Sequence, residues 1–227
     1  MQQKYSQPKH HIGIDCAIFG YQEGALKVLL TPRVFEPSEG EWSLVAGFLQ
    51  EDETVGSAVN RILLDRIGVD NVFFNEVHTF SNVDRDPVSR VISILHYALV
   101  PMGNLDQEEL ENRGAKWFLL NELPEMIFDH KEMVSIAFAQ LQKEANNQLL
   151  GKELLPPFFT LLQLRNVYDC IFEREFEPAN FRKKIMALGV LMKQPFKNKT
   201  ESKKGAYYYS FDPAAEDRIL DRITTLK

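Results

Sequence analysis

Residues 47–69 read GFLQEDETVGSAVNRILLDRIGV, and this stretch decides the fold of the N-terminal part of the 227-residue chain. Its second half carries apolar side chains at helical spacing, and Gly68 ends that pattern. The spacing predicts a helix over 54–67 that follows a polar loop beginning at Gly47.

The segments around this stretch show further strand and helix patterns. Apolar runs at 12–19 and 26–30 flank a turn signal at 21–24, which predicts a hairpin. Three more strands are expected at 72–80, 90–100 and 116–119, and a second long helix at 131–149. Residues 1–150 are therefore predicted to form an α+β unit, an α/β/α sandwich in which helices flank a mixed sheet.

Six positions in the deciding stretch match a known signature at fixed spacing. They are Gly47, Glu53, Arg61, Leu63, Gly68 and Val69. The stretch resembles the Nudix box. Upstream, Arg33 and the segment WSLVAGF at 42–48 resemble the family's lead-in to the box. Downstream, RDPVSRVIS at 85–93 resembles a segment of one branch of the Nudix family. The resemblance covers roughly 12–130 and implies a Nudix-like domain.

The same box lacks carboxylates that Nudix hydrolases use. The family gathers carboxylates on one helix face because Mg²⁺ prefers hard oxygen ligands. Here Ile62 and Arg66 replace two of the family's glutamates, and Asp65, one carbon shorter, replaces another. A fixed cation at a ligand position repels the metal, and Asp65 with Glu53 cannot restore the cluster of oxygens. The resemblance therefore implies a domain without catalytic residues, metal or other cofactor. Arg61 and Asp65 are expected to form a structural i,i+4 bridge.

A domain that has lost its metal in this way can still bind a ligand in its cleft. The candidate ligand-binding residues are Arg33, Trp42, His78, Asp84, Arg85 and Arg90. Trp42 offers an apolar face to a sugar or a base, and the charged side chains can bond hydroxyls or phosphates. An ordinary surface or core role is the alternative for each of them.

The C-terminal part, 151–227, has the element order of a winged helix domain. Two prolines in GKELLPP at 151–157 mark its boundary with the first domain. Thr160 can cap one helix, and Pro178 can open a second. Two strand-like segments, 189–193 and 205–211, then flank a polar hairpin at 195–204.

Charge is distributed unevenly along the chain. The net charge is −6, yet residues 156–227 hold 13 Lys and Arg against 9 Asp and Glu. The candidate DNA-binding residues are Asn180, Arg182, Lys183, Lys184, Lys197, Lys199, Lys203 and Lys204. A helix with one apolar and one cationic face can enter a major groove, and a basic hairpin can follow the phosphates. The alternative is a solvated charged face on a small protein-binding domain.

A Nudix-like domain followed by a winged helix resembles the Nudix-related transcriptional regulators, and the likeness covers nearly the whole chain. It implies a homodimer that binds operator DNA and senses a small metabolite in its degenerate Nudix domain. The overall likeness favours the arabinose-responsive branch, with a pentose such as L-arabinose as effector. The alternatives are a regulator of NAD metabolism that senses ADP-ribose, a residual hydrolase of nucleoside diphosphate derivatives, and a protein-binding module without a DNA role.

The composition points to a reducing compartment. Cys16 and Cys170 form no CxxC pair and no disulfide framework. No apolar run reaches the roughly 18 residues of a membrane span, and the N-terminus leads into no signal-peptide core. We therefore expect a cytoplasmic protein without a membrane partner.

Overall fold

A mixed sheet of seven strands forms the framework of the N-terminal part. The computed structural model describes residues 8–215 except 71, 147 and 201–204, and it does not describe the side chain of 104. The strands are β1 His11–Gln22, β2 Ala25–Pro32, β3 Trp42–Ser43, β4 Val45–Phe48, β5 Phe73–Phe80, β6 Val91–Val100 and β7 Lys116–Leu119. The predicted strands are therefore present, and β3 and β4 are additions too short to show a period in the sequence.

β1 lies at the centre of this sheet. It pairs in parallel with β6 and antiparallel with β2 and β4. Residues 13–20 of β1 are all buried, because the sheet is covered on both faces. Asp15 is the one charged residue in that buried run, so the fold places a carboxylate in its most protected strand.

Two helices cover opposite faces of the sheet. The N-terminal helices are α1 Val55–Ile67, α2 Gln107–Asn112 and α3 His130–Ala145. α1 packs on the face that carries Ile14 and Cys16, and α3 packs on the face that carries Ala17 and Phe19. Because side chains alternate along a strand, Asp15 lies on the α3 side. This arrangement agrees with the predicted α/β/α sandwich.

α3 is shorter than the sequence suggested, and the prediction of a helix to residue 149 is wrong for its last turn. The helix ends at Ala145, and Leu150–Glu153 forms a separate 3₁₀ turn. Residues 146–148 read NNQ, and asparagine favours caps and turns over helix interiors. Within the described part of the chain, no helix has both the length and the apolar character needed to cross a membrane.

The C-terminal part contains two helices and a three-stranded sheet. The elements are β8 Phe159–Thr160, α4 Leu161–Phe172, α5 Pro178–Ala187, β9 Leu191–Asn198 and β10 Ala206–Phe211. Thr160 caps α4 and Pro178 opens α5, as predicted. The sheet order is β8-β10-β9, which leaves β9 at an edge.

The hairpin predicted to begin at residue 195 begins later. β9 runs through Pro195 to Asn198, so the prediction of a polar loop from 195 is wrong for its first residues. Proline is tolerated in an edge strand because its missing N–H can face solvent. Residues 201–204 of the predicted hairpin lie outside the described residues.

One hydrophobic cluster joins the two parts of the chain. It contains Phe19 of the central sheet, Leu141 of α3 and Tyr168 of α4. A hydrogen bond crosses the same contact, from Gln142 Nε2 of α3 to the carbonyl of Ile171 in α4 (2.9 Å). A displacement of α3 would therefore act directly on α4, the first helix of the winged helix part.

Candidate functional site

A cavity of about 430 Å³ opens between the central sheet, α1 and the start of α3. Such a volume suits a small-molecule ligand. Its charged and aromatic lining consists of Arg33, Arg61, Arg66, Arg85, Asp15, Asp65, Asp86, His130, Phe35, Phe48 and Phe128. Phe35 and Phe48 are exposed, so the cavity combines a cationic wall with apolar ring faces that solvent can reach.

A buried polar group lies at the floor of this cavity. Asp15 is 5% exposed and His130 is 4% exposed. The Asp15 carboxylate accepts a hydrogen bond from Ser93 Oγ, and the backbone N–H of Leu44 donates to His130 Nδ1 (3.1 Å). Burial lowers the pKa of the His130 imidazole below its usual range. The ring is therefore neutral near pH 7 and carries its proton on Nε2, 3.6 Å from Asp15 Oδ1.

Two of the four arginines are held by carboxylates. Arg61 donates to both oxygens of Glu53, at 2.6 and 2.9 Å, and this hydrogen bonding lowers the pKa of the Glu53 carboxyl. Arg85 donates to both oxygens of Asp129, at 2.8 and 2.9 Å. Asp65 lies 3.9 Å from Arg61. The predicted Arg61–Asp65 bridge is therefore secondary, because the bidentate pair with Glu53 already occupies the guanidinium.

The other two arginines are available to a ligand. Arg33 Nε donates to the Phe35 carbonyl (3.0 Å), and its guanidinium lies over the rings of Phe35 and Phe128. Neither Arg33 nor Arg66 forms an ion pair with any of the described residues. The cavity thus presents two arginine side chains that lack a carboxylate partner within the described residues.

The side chains of α1 do not fit the magnesium cluster that the family implies. Ile62 is buried, and it packs so closely on Gly47 that a Cβ there would lie 2.9 Å from it. Asp65 has a largely exposed side chain (61%), and Arg66 puts a cation into the cavity. Across the described residues, no three His, Cys, Asp or Glu side chains are grouped so as to hold a metal ion.

The predicted ligand-binding residues are only partly brought together. Arg33 and Arg85 line the cavity, whereas the other four are not among its lining residues. Trp42 packs edge-on against Phe118, with ring centroids 4.9 Å apart. His78 and Asp84 are exposed, and Arg90 Nη1 donates to the Asn82 carbonyl (3.0 Å).

Several lining residues were missed by the sequence reasoning. Asp15 left a signal, since it is the one charge within a strand of apolar residues. Arg66 was noted only for removing a metal ligand. Phe48 was quoted only as part of the segment that precedes the box. His130 and Phe35 left no signal, because they reach the cavity from separate elements that only the fold brings together.

α5 presents the predicted cationic face. Phe181 and Ile185 are buried, whereas Asn180, Arg182 and Lys183 are exposed. Lys184 is partly buried and lines a smaller cavity at the start of the helix. The Glu177 carboxylate accepts hydrogen bonds from two backbone N–H groups of the first turn, which lowers its pKa and fixes the start of α5.

The β9–β10 pair carries a second basic surface. Lys193 Nζ lies 3.5 Å and Lys197 Nζ lies 4.4 Å from the centroid of the Tyr207 ring. Both ammonium groups thus lie close to the same aromatic ring. Lys197 and Lys199 are exposed, while Lys203 and Lys204 lie outside the described residues.

Comparison with known proteins covers both parts of the chain. The NUDIX domain model matches residues 9–137, and the NrtR DNA-binding winged helix domain model matches residues 151–211. The chain is 30% identical over 213 residues to the ADPR-responsive transcriptional repressor of Acinetobacter baylyi, covering 92% of this chain and 85% of the relative. It is 34% identical over 118 residues to an ADP-ribose pyrophosphatase of Methanocaldococcus jannaschii, covering 52% and 69%.

Solved structures give the same assignment. Shewanella oneidensis NrtR, crystallised with a 27-mer DNA, superposes with a TM-score of 0.82 at 25% identity, covering 91% of this chain and 95% of that one. A MutT/nudix family protein from Enterococcus faecalis shares the fold, with a TM-score of 0.74 at 20% identity over 93% and 90% of the chains. The chain therefore belongs to the NrtR-type regulators, in which a Nudix domain is followed by a DNA-binding winged helix domain.

Proposed function

We propose that this protein is a transcriptional regulator that binds operator DNA through its winged helix and binds ADP-ribose in the cavity of its Nudix domain. The observation that carries the proposal is the 30% identity, across 92% of the chain, to a repressor named as ADPR-responsive. The Nudix relative from Methanocaldococcus jannaschii is named for the same ligand.

The chemistry of the cavity supports an anionic ligand with an aromatic base. Arg33 and Arg66 can each donate two parallel hydrogen bonds to a diphosphate. The exposed rings of Phe35 and Phe48 can stack on adenine. ADP-ribose contains both groups.

A free pentose such as L-arabinose is the second candidate effector. One observation favours it: the buried Asp15 carboxylate at the cavity floor repels phosphate and suits an uncharged polyol. The two relatives described above are named for ADP-ribose, so they favour the alternative to the arabinose-responsive assignment.

The Nudix domain is proposed to act as a sensor without hydrolase activity. In helix α1, Ile62, Asp65 and Arg66 stand at positions of the family's carboxylates. The Glu53 carboxylate already accepts hydrogen bonds from Arg61. A ligand that enters the cavity is then held and released unchanged. A residual hydrolase would need a cluster of oxygen ligands, which Asp65 and the arginine-bound Glu53 do not form.

The winged helix is proposed to contact DNA through two surfaces. Arg182 and Lys183 project from α5, which can enter the major groove, and Lys197 lies on the strand pair that can follow the phosphates. Asn180 can reach a base edge from the first turn of α5.

The active form is proposed to be a two-fold dimer, because one such domain reads about one half-site of the operator. The Nudix domains are proposed to hold the dimer together, and 1–150 and 151–227 are the two functional parts of each chain. A regulator of this kind acts where the chromosome lies, which agrees with the expected cytoplasmic location.

α3 is proposed to carry the signal between the two ligands. Its first residue, His130, lines the cavity, and Asp129 just before it holds Arg85. Gln142, three turns along, donates to Ile171 of the winged helix. A ligand that shifts the start of α3 would therefore shift α4.

Calorimetry on the full-length protein tests the effector. ADP-ribose, L-arabinose, D-ribose and D-xylose are titrated into the protein in the presence of EDTA. We expect ADP-ribose to bind under these conditions and to be recovered intact after incubation with Mg²⁺. Binding of L-arabinose without binding of ADP-ribose would select the second candidate. Rapid hydrolysis of ADP-ribose that EDTA abolishes would replace the sensor role with that of an enzyme.

A further inference from the structure

The turn of the β1–β2 hairpin lies against the last turn of α4. Glu23 and Gly24 form this two-residue turn, and both have a positive φ, 54° and 79°. The Cys170 thiol of α4 donates a hydrogen bond to the Gly24 carbonyl (3.0 Å). Leu26 of β2 belongs to the same buried cluster as Ile171 of α4. The Nudix part therefore contacts the winged helix part through this hairpin as well as through α3.

The phenol of Tyr21 belongs to the same contact. Tyr21 lies on β1 just before the turn, and it is partly buried. Burial raises the pKa of Tyr21 to about 12, the neighbouring Cys170 and Asp169 raise it further, and the side chain of Asn166 lowers it. The hydroxyl therefore keeps its proton near pH 7, and Tyr21 brings no charge to the contact between the hairpin and α4.

Asp169, the residue next to Cys170, holds the turn that leads to α5. Its carboxylate accepts a hydrogen bond from the backbone N–H of Phe176 (2.7 Å), and its backbone carbonyl accepts one from the N–H of Arg174 (3.1 Å). Arg165, one turn earlier in α4, lies 3.3 Å from Asp169 Oδ2. Because adjacent residues of a helix do not share a face, the last turn of α4 contacts the hairpin on one side and the turn before α5 on another.

We infer that the β1–β2 hairpin positions α5 for DNA, with Cys170 and Asp169 as the positioning residues. Cys170 holds the end of α4 against the Nudix part, and Asp169 holds the start of α5 against the end of α4. β2 runs from this contact to Pro32, which lines the effector cavity, so the strand has one end at each place. The inference rests on the proposed function, because it requires α5 to contact DNA.

The first test compares Cys170→Ala with Cys170→Ser in the full-length protein without effector. Both residues are close to cysteine in size, but only serine has a donor for the Gly24 carbonyl. The probe is a fluorescent duplex that wild type selects from a randomised pool, and anisotropy reports binding. We expect Cys170→Ala to weaken DNA binding by about three- to tenfold and Cys170→Ser to stay within about twofold of wild type. The dependence of affinity on salt should be the same in all three proteins, because no phosphate contact is lost.

The second test compares Asp169→Ala with Glu175→Ala, which is the matched control. Glu175 is exposed on the turn before α5, so both variants lose one negative charge in the same region. If charge alone mattered, each loss would strengthen binding to the anionic duplex. We expect Asp169→Ala to weaken DNA binding by at least about threefold, because the start of α5 loses its hydrogen bond to α4. Glu175→Ala should not weaken it.

Thermal melting shows which variants are folded, and the Cys170 pair decides the inference if Asp169→Ala does not fold. If wild type selects a duplex and folded Cys170→Ala binds it as tightly as wild type or more tightly, the inference is overturned and the proposed function stands. The same conclusion follows if Cys170→Ser loses as much affinity as Cys170→Ala, or if folded Asp169→Ala binds DNA as tightly as wild type or more tightly. If wild type selects no duplex, the proposed DNA binding fails and the inference fails with it.

Discussion

At the scale of single residues, the positions of the charged side chains determine which ligands the cavity can bind. Arg66 occupies a position where the family would hold a magnesium ligand, and it makes no ion pair with any described residue. Asp15 puts a negative charge at the floor. The site therefore offers positive charge on α1, which suits the diphosphate of the proposed ADP-ribose, and a buried hydrogen-bond acceptor on β1.

Replacing Arg66 by glutamine separates the two candidate effectors. A hydrogen-bonded arginine–phosphate contact is charge-assisted, so its loss should weaken ADP-ribose binding by at least about ten-fold. L-Arabinose has no phosphate and should be unaffected. Lys131→Gln removes one exposed cation from the start of α3, outside the cavity, and controls for overall charge. Unchanged ADP-ribose affinity in Arg66→Gln, measured by calorimetry, would place the diphosphate elsewhere.

The buried imidazole of His130 makes a prediction about acid stability. Burial lowers its pKa, while Asp15 and Asp129 raise it and Arg85 and Arg33 lower it by smaller amounts. The unfolded chain takes up a proton below about pH 6.5 that the folded ring resists, so stability falls as the pH drops through that value. Urea unfolding between about pH 7.5 and 5.5 should show a steeper loss of stability for wild type than for His130→Asn. Parallel pH profiles would contradict this.

Of the six ligand-binding residues predicted from the sequence, two line the cavity, Arg33 and Arg85. Arg33 and Arg85 could be named because they lie in segments that resemble the surroundings of the Nudix box. His130 and Phe35 could not, since nothing in their local pattern shows that α3 and the loop after β2 converge on β1. Trp42 was selected for its ring face, but in the fold it packs against Phe118 and does not line the cavity.

At the scale of secondary structure elements, α3 connects the cavity to the winged helix. Its position was predicted from the sequence, but its early end at Ala145 was not, because the apolar pattern continues past the residues that stop it. β9 shows the opposite error: Pro195 suggested a loop, whereas an edge strand can contain a proline. The end of α3 and the extent of β9 both depend on the elements that lie next to them in the fold.

The contact between α3 and α4 gives a prediction about coupling. Gln142→Leu removes the hydrogen bond to Ile171 while keeping an apolar stem at the contact. Effector affinity should stay unchanged, and the effect of saturating effector on DNA affinity should shrink severalfold, because coupling depends on the differential contacts between two states. Ser135→Ala, which removes a bond internal to α3, is the matched control. If Gln142→Leu keeps the full effect of effector on DNA affinity, the contact between Gln142 and Ile171 does not transmit the signal.

The basic face of α5 gives a prediction about DNA binding. Arg182 and Lys183 are exposed beside the buried Phe181, so Arg182→Gln and Lys183→Gln should leave the fold intact. A phosphate contact at either position should weaken binding on all sequences and lower the salt slope by about one. If Arg182 reads a guanine, the cost should be about 1–3 kcal/mol at one base pair. Fluorescence anisotropy at several salt concentrations distinguishes a phosphate contact from a base contact. Unchanged DNA affinity in both variants would show that the DNA-binding surface lies outside α5.

At the scale of the whole molecule, one hydrophobic cluster runs from the central sheet through α3 into the winged helix. The two parts therefore contact each other through packed side chains as well as through the segment around Pro156 and Pro157. A ligand that prefers one arrangement of this contact can change DNA affinity without touching DNA. By linkage, DNA must change ligand affinity by the same factor.

The most direct test of the account is a titration of the full-length protein with DNA, with and without effector. The probe is a fluorescent duplex that the protein selects from a randomised pool, and the effector is saturating ADP-ribose or, in a second arm, L-arabinose. The account predicts that one of these ligands changes DNA affinity by about 5- to 150-fold and that DNA changes the affinity for that ligand by the same factor. DNA affinity that is the same with and without either saturating ligand would contradict it.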